Sequence, residues 1–173
     1  MMEPSEDFEI VQAVILMPQP EGLIDLIREI GSRHGCHIVC LDAERLAGRE
    51  HAWMAAQYGI RSWRRGNAIA DSLEMEVLLY AGGTRQTSIA RTYGIGPGTR
   101  NLYLCFIPSI GGAGKELEAL VKLVTDDWNK LSEEKIVRLM ELFGITKVER
   151  EVVGERRFAN LVLERVALLD VYR

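Results

Sequence analysis

The sequence predicts one α/β or α+β domain in which a small mixed sheet of about four strands packs with helices. Apolar runs of strand length are interspersed with segments whose apolar residues recur at helical spacing. The 173 residues are 47% hydrophobic and 27% charged, which is the size and mixture of one ordinary soluble domain. No repeat, linker or low-complexity segment divides the chain, so residues 1–173 are expected to form a single domain.

Four strands are predicted. The first three are short apolar runs bounded by turn residues such as Pro18 and Pro108. The fourth carries several charges and is expected only at an edge of the sheet. The predicted strands cover residues 8–17, 36–41, 101–107 and 145–153.

Seven helices are predicted from apolar periodicity and from the residues at their ends. Ala52, Ala55 and Ala56 give the second helix a small-residue face that allows close packing, and Gly59 is expected to end it. Ser132 is expected to cap the sixth helix, and the last helix has the strongest periodicity. The predicted helices cover residues 21–30, 42–58, 71–83, 84–93, 115–125, 133–143 and 157–172.

The charge is unevenly distributed along the chain. With 21 basic and 25 acidic residues the formal charge is −4, which taken alone argues against a nucleic-acid-binding surface. Residues 57–100, however, hold six arginines against three carboxylates, a net charge of +3 that leaves −7 for the remainder. An acidic protein therefore contains one basic stretch.

The cellular compartment is predicted from the cysteines and the apolar runs. Cys36, Cys40 and Cys105 are too few, and odd in number, for a disulfide framework. No apolar run is long enough to span a bilayer, and the acidic first nine residues are unlike a signal peptide. A cytoplasmic protein without a membrane partner is expected.

Two glycine-rich segments resemble nucleotide-binding loops but lack the residues that the chemistry requires. GGAGKE has Ser109 where the phosphate-binding loop needs its first glycine, and Glu116 where it needs a hydroxyl to hold magnesium. GIGPGT has Thr99 in place of the third glycine of a dinucleotide fingerprint and precedes a strand rather than a helix. No nucleotide cofactor is predicted.

A metal site and an active site are not predicted either. On a strand, Cys36 and Cys40 share one face while His37 points to the other, so buried structural cysteines are favoured over a zinc site. Glu74 and Glu76 project about 200° apart on a helix, which excludes an acid/base pair. No serine has the context of a nucleophile elbow, and no catalytic residue is assigned.

The basic stretch predicts an anion-binding site. Thr84 is expected to cap a helix that begins with Arg85 and Gln86, which would place free backbone N–H groups beside a guanidinium. Arg64 and Arg65 could supply a second basic contact. An arginine in such a place serves equally well in a salt bridge to a neighbouring carboxylate. Trp63 is compatible either with stacking on a base or with a partly buried anchor.

This part of the chain also resembles a known family. The runs NAIA at residues 67–70, LEMEVLLY at 73–80 and GTRQ at 83–86 are similar to the central signature of the small kinase-binding subunits of the KEOPS (EKC) complex. The last helix, with LVLERVALL, resembles the ending of the same family. Thr87 departs from the family pattern, which commonly has an aliphatic residue there, and the N-terminal third shows no convincing similarity.

The resemblance implies a specific, non-catalytic function. Such subunits bind the small atypical kinase/ATPase of KEOPS, hold the single-stranded 3′ CCA end of tRNA, and so support threonylcarbamoyladenosine modification of ANN-decoding tRNAs. It places Arg64, Arg65, Arg85 and Gln86 at the tRNA tail. It implies no cofactor and no small-molecule substrate.

The C-terminal helix is the expected kinase interface. Its apolar stripe is wider than one core contact uses, so part of it is predicted to face the partner, with Val162, Arg165 and Leu169 as the contact residues. The other interpretation is that this helix simply lies deep in the fold. The alternative function is a small-molecule-binding α/β domain or enzyme that holds a phosphorylated metabolite in a closed pocket at residues 84–86.

Overall fold

A four-stranded sheet lies at the centre of the molecule, which is an α+β domain. The structure is a computed structural model that describes residues 7–172. The sheet has the order β2-β3-β1-β4, and its three pairings are all antiparallel, so it is not mixed as the sequence predicted. The strands are β1 Glu9–Ile15, β2 His37–Asp42, β3 Asn101–Ile107 and β4 Val121–Val124.

Helices cover both faces of this sheet. They are α1 Leu23–Arg33, α2 Arg49–Arg64, α3 Leu73–Gly82, α4 Thr87–Ala90, α5 Ala113–Leu117, α6 Glu133–Phe143, α7 Lys147–Val153 and α8 Phe158–Val171, with 3₁₀ turns at Ala43–Arg45, Arg91–Tyr93 and Glu155–Arg157. One core cluster contains α2, α3, α6 and α8, and the other contains α1 and α5. Strand β3 is therefore buried on both faces. Within the described residues no helix is long and apolar enough to cross a membrane.

Two segments have a secondary structure that differs from the prediction. The segment predicted as an edge strand over 145–153 instead contains helix α7, because Thr146 and Glu149 make a reciprocal capping box that satisfies the first turn. The segment predicted as one helix over 115–125 divides into α5 and strand β4, because Val121–Val124 pairs with β1. Sheet pairing thus overrides a helical apolar pattern.

The close contact between α2 and α3 sets the position of the basic stretch. Ala52, Ala55 and Ala56 are fully buried, which confirms the predicted small-residue face. Gly59, however, does not end the helix: it lies inside α2, where an added Cβ would be 2.8 Å from the Cα of Val77. Helix α2 therefore continues for more than a turn beyond Gly59 and carries its arginines past the start of α3, where Ser62 contacts Glu76.

Candidate functional site

An open cleft of about 510 Å³ lies where the end of α2, the connection to α3 and the end of α8 meet. Three of its lining residues are arginines and one is a carboxylate. We call it the basic cleft; its lining residues are Arg61, Ser62, Arg65, Asn67, Ile69, Arg85 and Asp170.

The arginines reach this cleft from two elements. Arg61 and Arg65 are four residues apart at the end of α2, so their side chains project from the same face. Arg85 follows α3, which ends at Gly83 with the left-handed φ of +57° that favours glycine. An added Cβ at Gly83 would lie 3.2 Å from the carbonyl oxygen of Arg165, so the turn that carries Arg85 packs against α8.

The wall of the basic cleft that the α2–α3 connection forms is held in place by a buried carboxylate. Glu76 is fully buried in α3 and accepts hydrogen bonds from Ser62 Oγ at 2.7 Å and from the backbone N–H groups of Ile69 and Ala70, each at 2.9 Å. These bonds fix the connection between α2 and α3, which carries Asn67 and Ile69. The neighbouring Glu74 points elsewhere and contacts His37, as the helical spacing predicts.

The charged groups of the cleft differ in the interactions that they already make within the protein. Arg85 is exposed and makes no hydrogen bond or ion pair within residues 7–172. The guanidinium of Arg61 lies 5.2 Å from the ring centre of Tyr58, which in turn stacks on Tyr80. The hydroxyl of Tyr80 donates a hydrogen bond to Asp170 at 2.8 Å. Arg85 is thus available to an external anion, and part of the acceptor capacity of Asp170 is already used.

The structure brings together two of the four residues assigned to the tRNA tail. Arg65 and Arg85 both line the basic cleft. Arg64 is exposed at the end of α2, and Gln86 is exposed at the start of α4, but neither lines the cleft. Trp63 is partly exposed beside Arg64 and lies outside the lining as well.

The predicted helix start at Thr84 is wrong. Helix α4 begins at Thr87 and has only four residues, with Gln86 as its N-cap residue. The hydroxyl of Thr84 instead accepts a hydrogen bond from the N–H of Gln86 at 3.1 Å, within a turn. Since a helix this short has only a small dipole, the guanidinium groups rather than a helix terminus supply the positive charge of the cleft.

Sequence reasoning missed Arg61, Asn67 and Asp170. The spacing of Arg61 and Arg65 was a usable signal, because residues four apart share a helical face. Asn67 depends on the loop geometry that Glu76 imposes, and Asp170 comes from the other end of the chain. Neither of these two carries a local signal.

The kinase-interface prediction needs correction. Val162 and Leu169 are only 0% and 8% exposed, because α8 packs against α2, α3 and α6. Arg165 donates to Glu149 Oε1 at 2.7 Å and to the carbonyl oxygens of Leu161 and Phe143. The wide apolar stripe of α8 therefore reflects burial, which was the other interpretation of this helix. Its exposed apolar residues are Leu168, Val171 and Tyr172, at 38%, 72% and 72%.

The cysteines behave as core residues. All three are free thiols, and burial raises the pKa of Cys40 and of Cys105 to about 12. Cys36 is partly exposed, and partial burial raises its pKa as well. Among residues 7–172, no three His, Cys, Asp or Glu side chains are grouped so that they could hold a metal ion.

The basic cleft combines guanidinium donors, an exposed amide and an exposed aliphatic side chain. Such a surface is suited to binding an anionic ligand that also has apolar surface. Four of its lining residues, Arg65, Asn67, Ile69 and Arg85, are exposed, so the site is open to solvent. A scan against models of protein families finds no match to this sequence, and no curated protein matches it.

Proposed function

We propose that this protein is a non-catalytic adaptor of the KEOPS type, which binds the 3′ end of tRNA in the basic cleft and a small kinase/ATPase subunit on a neighbouring surface. One observation carries the RNA part of this proposal. Arg61, Arg65 and Arg85, which come from two different elements, line a single open cleft. The proposed role is to help recruit tRNA for threonylcarbamoyladenosine modification by a catalytic partner.

The chemistry of the cleft favours single-stranded RNA. Guanidinium groups recognise phosphate oxygens with two donors at once, and single strands are held by such contacts together with stacking or apolar contact to the bases. The exposed side chain of Ile69 offers the apolar contact, and Asn67 adds a polar group to the same cleft.

The metabolite-binding alternative is less well supported. It requires a closed pocket around residues 84–86, whereas Arg85 is exposed on an open cleft and Gln86 lies outside that cleft. The short helix α4 also removes the extended helix N-terminus that would have held a phosphate. An open surface suits a polymer end better than a small molecule, which proteins usually bury almost completely.

The exposed end of α8 is the surface we propose for the kinase partner. Val171 and Tyr172 follow Leu168 by three and four residues, so the three lie on the solvent-facing side of the end of this helix. Asp170, on the same turn, lines the basic cleft. The kinase and the tRNA end would therefore bind next to each other.

The RNA part of the proposal is tested by measuring tRNA affinity at low salt. Replacing Arg85 by Ala should weaken binding about tenfold, the effect of losing roughly one charge-assisted contact. Arg91→Ala is the matched control, because Arg91 is also exposed but lies outside the basic cleft. Removing the CCA end from the tRNA should weaken binding to the unmodified protein and have little further effect on the Arg85 variant. Equal affinity of the two variants would remove Arg85 from the site.

The adaptor part is tested by co-purification with candidate KEOPS kinase subunits. Tyr172→Asp should reduce capture of the kinase, because it places a charge in the proposed apolar contact. Val152→Asp is the control, since Val152 is exposed on α7, outside this surface. Failure of the unmodified protein to bind any such kinase would exclude the adaptor function, even if tRNA binding persisted.

A further inference from the structure

An open groove of about 730 Å³ runs between helices α6 and α7. It shares no lining residue with the basic cleft, and the end of α8 that we propose for the kinase does not line it either. One face of each helix forms a wall. We call it the α6–α7 groove; its walls carry Glu133, Val137, Met140 and Glu141 from α6, and Lys147, Arg150 and Glu151 from α7.

An ion pair joins the two walls and fixes the width of the groove. The guanidinium of Arg150 donates to the two carboxylate oxygens of Glu133 at 2.8 and 2.5 Å, and it lies 3.7 Å from the carboxylate of Glu155. A fork of two hydrogen bonds holds its partners in one relative geometry. The α6–α7 groove is therefore formed before any ligand binds, and a ligand does not have to order its walls.

The surface between the walls is apolar. Val137 is 45% exposed in the middle of α6, and Met140 is partly exposed. Ile145, which is only 5% exposed, lines the groove from the turn between the two helices. An apolar ligand would release the water that contacts these side chains, which favours binding. The groove can therefore bind the apolar side of a ligand.

The rim of the groove is acidic. Four carboxylates line it against two cations, a net charge of −2. Two of the carboxylates are engaged by Arg150. Glu141, Glu151 and Lys147 are exposed and make no hydrogen bond or ion pair within residues 7–172. Because one available carboxylate stands on each wall, basic groups on both sides of an apolar ligand face would be complementary to the groove.

The backbone of the walls favours a helical ligand over an extended one. The N–H and C=O groups inside α6 and α7 bond within each helix, so the groove offers no strand edge with which an extended segment could pair. A helix satisfies its own backbone groups, and its side-chain ridges fit between those of neighbouring helices. Helix α6 has 11 residues, a length of about 16 Å, which matches about three turns of a bound helix.

We propose that the α6–α7 groove binds an amphipathic helix of a partner protein, whose apolar side contacts Val137 and Met140 and whose flanking lysines or arginines face Glu141 and Glu151. The apolar contact supplies the affinity, and the two carboxylates select basic over acidic helices. This inference goes beyond the proposed function and depends on neither tRNA nor kinase binding, because the groove shares no residue with either surface.

The first test uses a fluorescein-labelled peptide of about 14 residues of Ala, Leu and Lys, with Leu at every third or fourth position and Lys on both sides of the leucine stripe. Fluorescence anisotropy at about 0.15 M salt, which screens long-range attraction, should show saturable binding below about 1 mM. A peptide of the same composition with its leucines dispersed around the helix should bind at least about tenfold more weakly. A peptide in which Glu replaces Lys should be weakened at least as much.

Matched protein variants test the charges and the apolar contact separately. Glu141→Lys and Glu151→Lys should each weaken peptide binding at least about threefold. Glu118→Lys should not, because it changes the net charge equally but lies outside the groove. Val137→Lys should weaken binding about tenfold, whereas Leu123→Lys should not, since Leu123 is also 45% exposed but lies in β4. All five side chains are exposed, so the variants should fold.

The location of the peptide is tested by amide hydrogen exchange. Binding should slow exchange in Lys147–Val153 and leave Leu23–Arg33 unchanged. The inference is overturned by absence of binding, by equal binding of the dispersed or the Glu peptide, or by a Glu118 variant that binds as weakly as the Glu141 variant. It is also overturned if the protein forms a dimer that Val137→Lys abolishes, because the groove would then hold a second copy of this chain. None of these outcomes affects the proposals for the basic cleft and the end of α8.

Discussion

At the residue scale, two buried polar side chains hold the helical layer that carries the basic cleft. Glu76 receives three hydrogen bonds from the α2–α3 connection and its neighbour Ser62. His51 is also fully buried: its Nδ1 accepts from the N–H of Ala47 at 3.0 Å, and its Nε2 donates to the carbonyl oxygen of Ala81 at 2.8 Å. Both side chains satisfy backbone groups that would otherwise be left unpaired in the core.

Replacing Glu76 by Gln should destabilise the protein by roughly 2 kcal/mol. One carboxylate oxygen accepts from two backbone N–H groups while the other accepts from Ser62, and an amide cannot accept at both ends. Urea denaturation checks this, with Glu151→Gln as the control because Glu151 is exposed. Equal stability of the two variants would show that the bonds to Glu76 contribute little.

Acidification should destabilise the protein through His51. Burial, as the main cause, lowers its pKa from 6.5 to about 4. The unfolded chain therefore binds a proton that the folded chain excludes, so this contribution is complete above pH 6.5 and is lost as the pH falls towards 4. Between pH 7.5 and 5.5 the free energy of unfolding should fall by about 1 kcal/mol.

Urea denaturation at these two pH values provides the measurement. His51→Gln should be less stable at pH 7.5, since it loses the imidazole bridge, but its stability should change less with pH. His34→Gln should keep the pH dependence, because His34 lies near the surface beside Glu116. If the free energy of unfolding of the His51 variant changed with pH as steeply as that of the unmodified protein, other groups would be responsible for the effect.

A site residue could be predicted from the sequence only where a local sequence pattern marks it. Arg65 and Arg85 were found from a basic stretch and a family resemblance, and both reach the basic cleft. The prediction placed Val162 and Leu169 on a partner surface. An apolar stripe shows that a helix face is covered, but it does not show whether the rest of the fold or a partner covers it. In α8, other helices of the same domain pack against the apolar stripe.

At the element scale, the contact between α2 and α3 depends on the absence of a side chain at Gly59. Gly59→Ala should destabilise the protein by about 1–3 kcal/mol although alanine favours helices, because the new Cβ meets the backbone of Val77 at 2.8 Å. Thermal unfolding checks this. Gly96→Ala is the control, since no atom lies within 4 Å of an added Cβ at that position. A stabilised Gly59 variant would show that the two helices can separate at little cost.

Helix α7 has no fully buried residue, and only Val153, at its end, packs against the larger core cluster, so the capping of its first turn matters for its stability. The N–H of Glu149 donates to Thr146 Oγ1 at 3.1 Å, and the N–H of Thr146 donates to Glu149 Oε2 at 2.7 Å. This backbone bond and a further one from Arg165 lower the pKa of Glu149, in that order of importance. The charged sequence hid this helix, although the Thr-x-x-Glu spacing of a capping box was present.

Thr146→Ala should therefore loosen α7 without unfolding the domain. Loss of an N-cap costs about 1 kcal/mol, and here the cost falls on a helix that has no fully buried residue. Amide hydrogen exchange in Lys147–Val153 should accelerate several-fold, while exchange in the central strand β3 stays unchanged. Slowed or unaltered exchange in α7 would show that the capping box is not what holds it.

At the scale of the whole molecule, the charge of −4 limits how RNA can be bound. Three arginines line one cleft and can make at most about three phosphate contacts, so the logarithm of tRNA affinity should fall with the logarithm of salt concentration with a slope no steeper than about −2. Arg85→Ala should reduce this slope by about 0.7. Titration at several salt concentrations measures both values. A slope near zero in the unmodified protein would contradict phosphate recognition.

The general architecture was predictable, whereas the pairing of its strands was not. The α+β class and three of the four strands follow from apolar runs whose pattern is local in the sequence. The antiparallel order β2-β3-β1-β4 depends on contacts between distant segments. Strand β4 is a strand because β1 is available to pair with it, which no local pattern contains.

The positions of the three thiols allow one of them to be labelled selectively. Cys40 and Cys105 belong to the two different core clusters on opposite faces of the sheet, and both are buried. Cys36 alone among the three is partly exposed, and it lines a cleft beside the start of β2. A maleimide dye should therefore attach at a single natural position, at a pH somewhat above neutral because the pKa of Cys36 is raised. The unmutated chain would then carry its own fluorescent reporter beside β2.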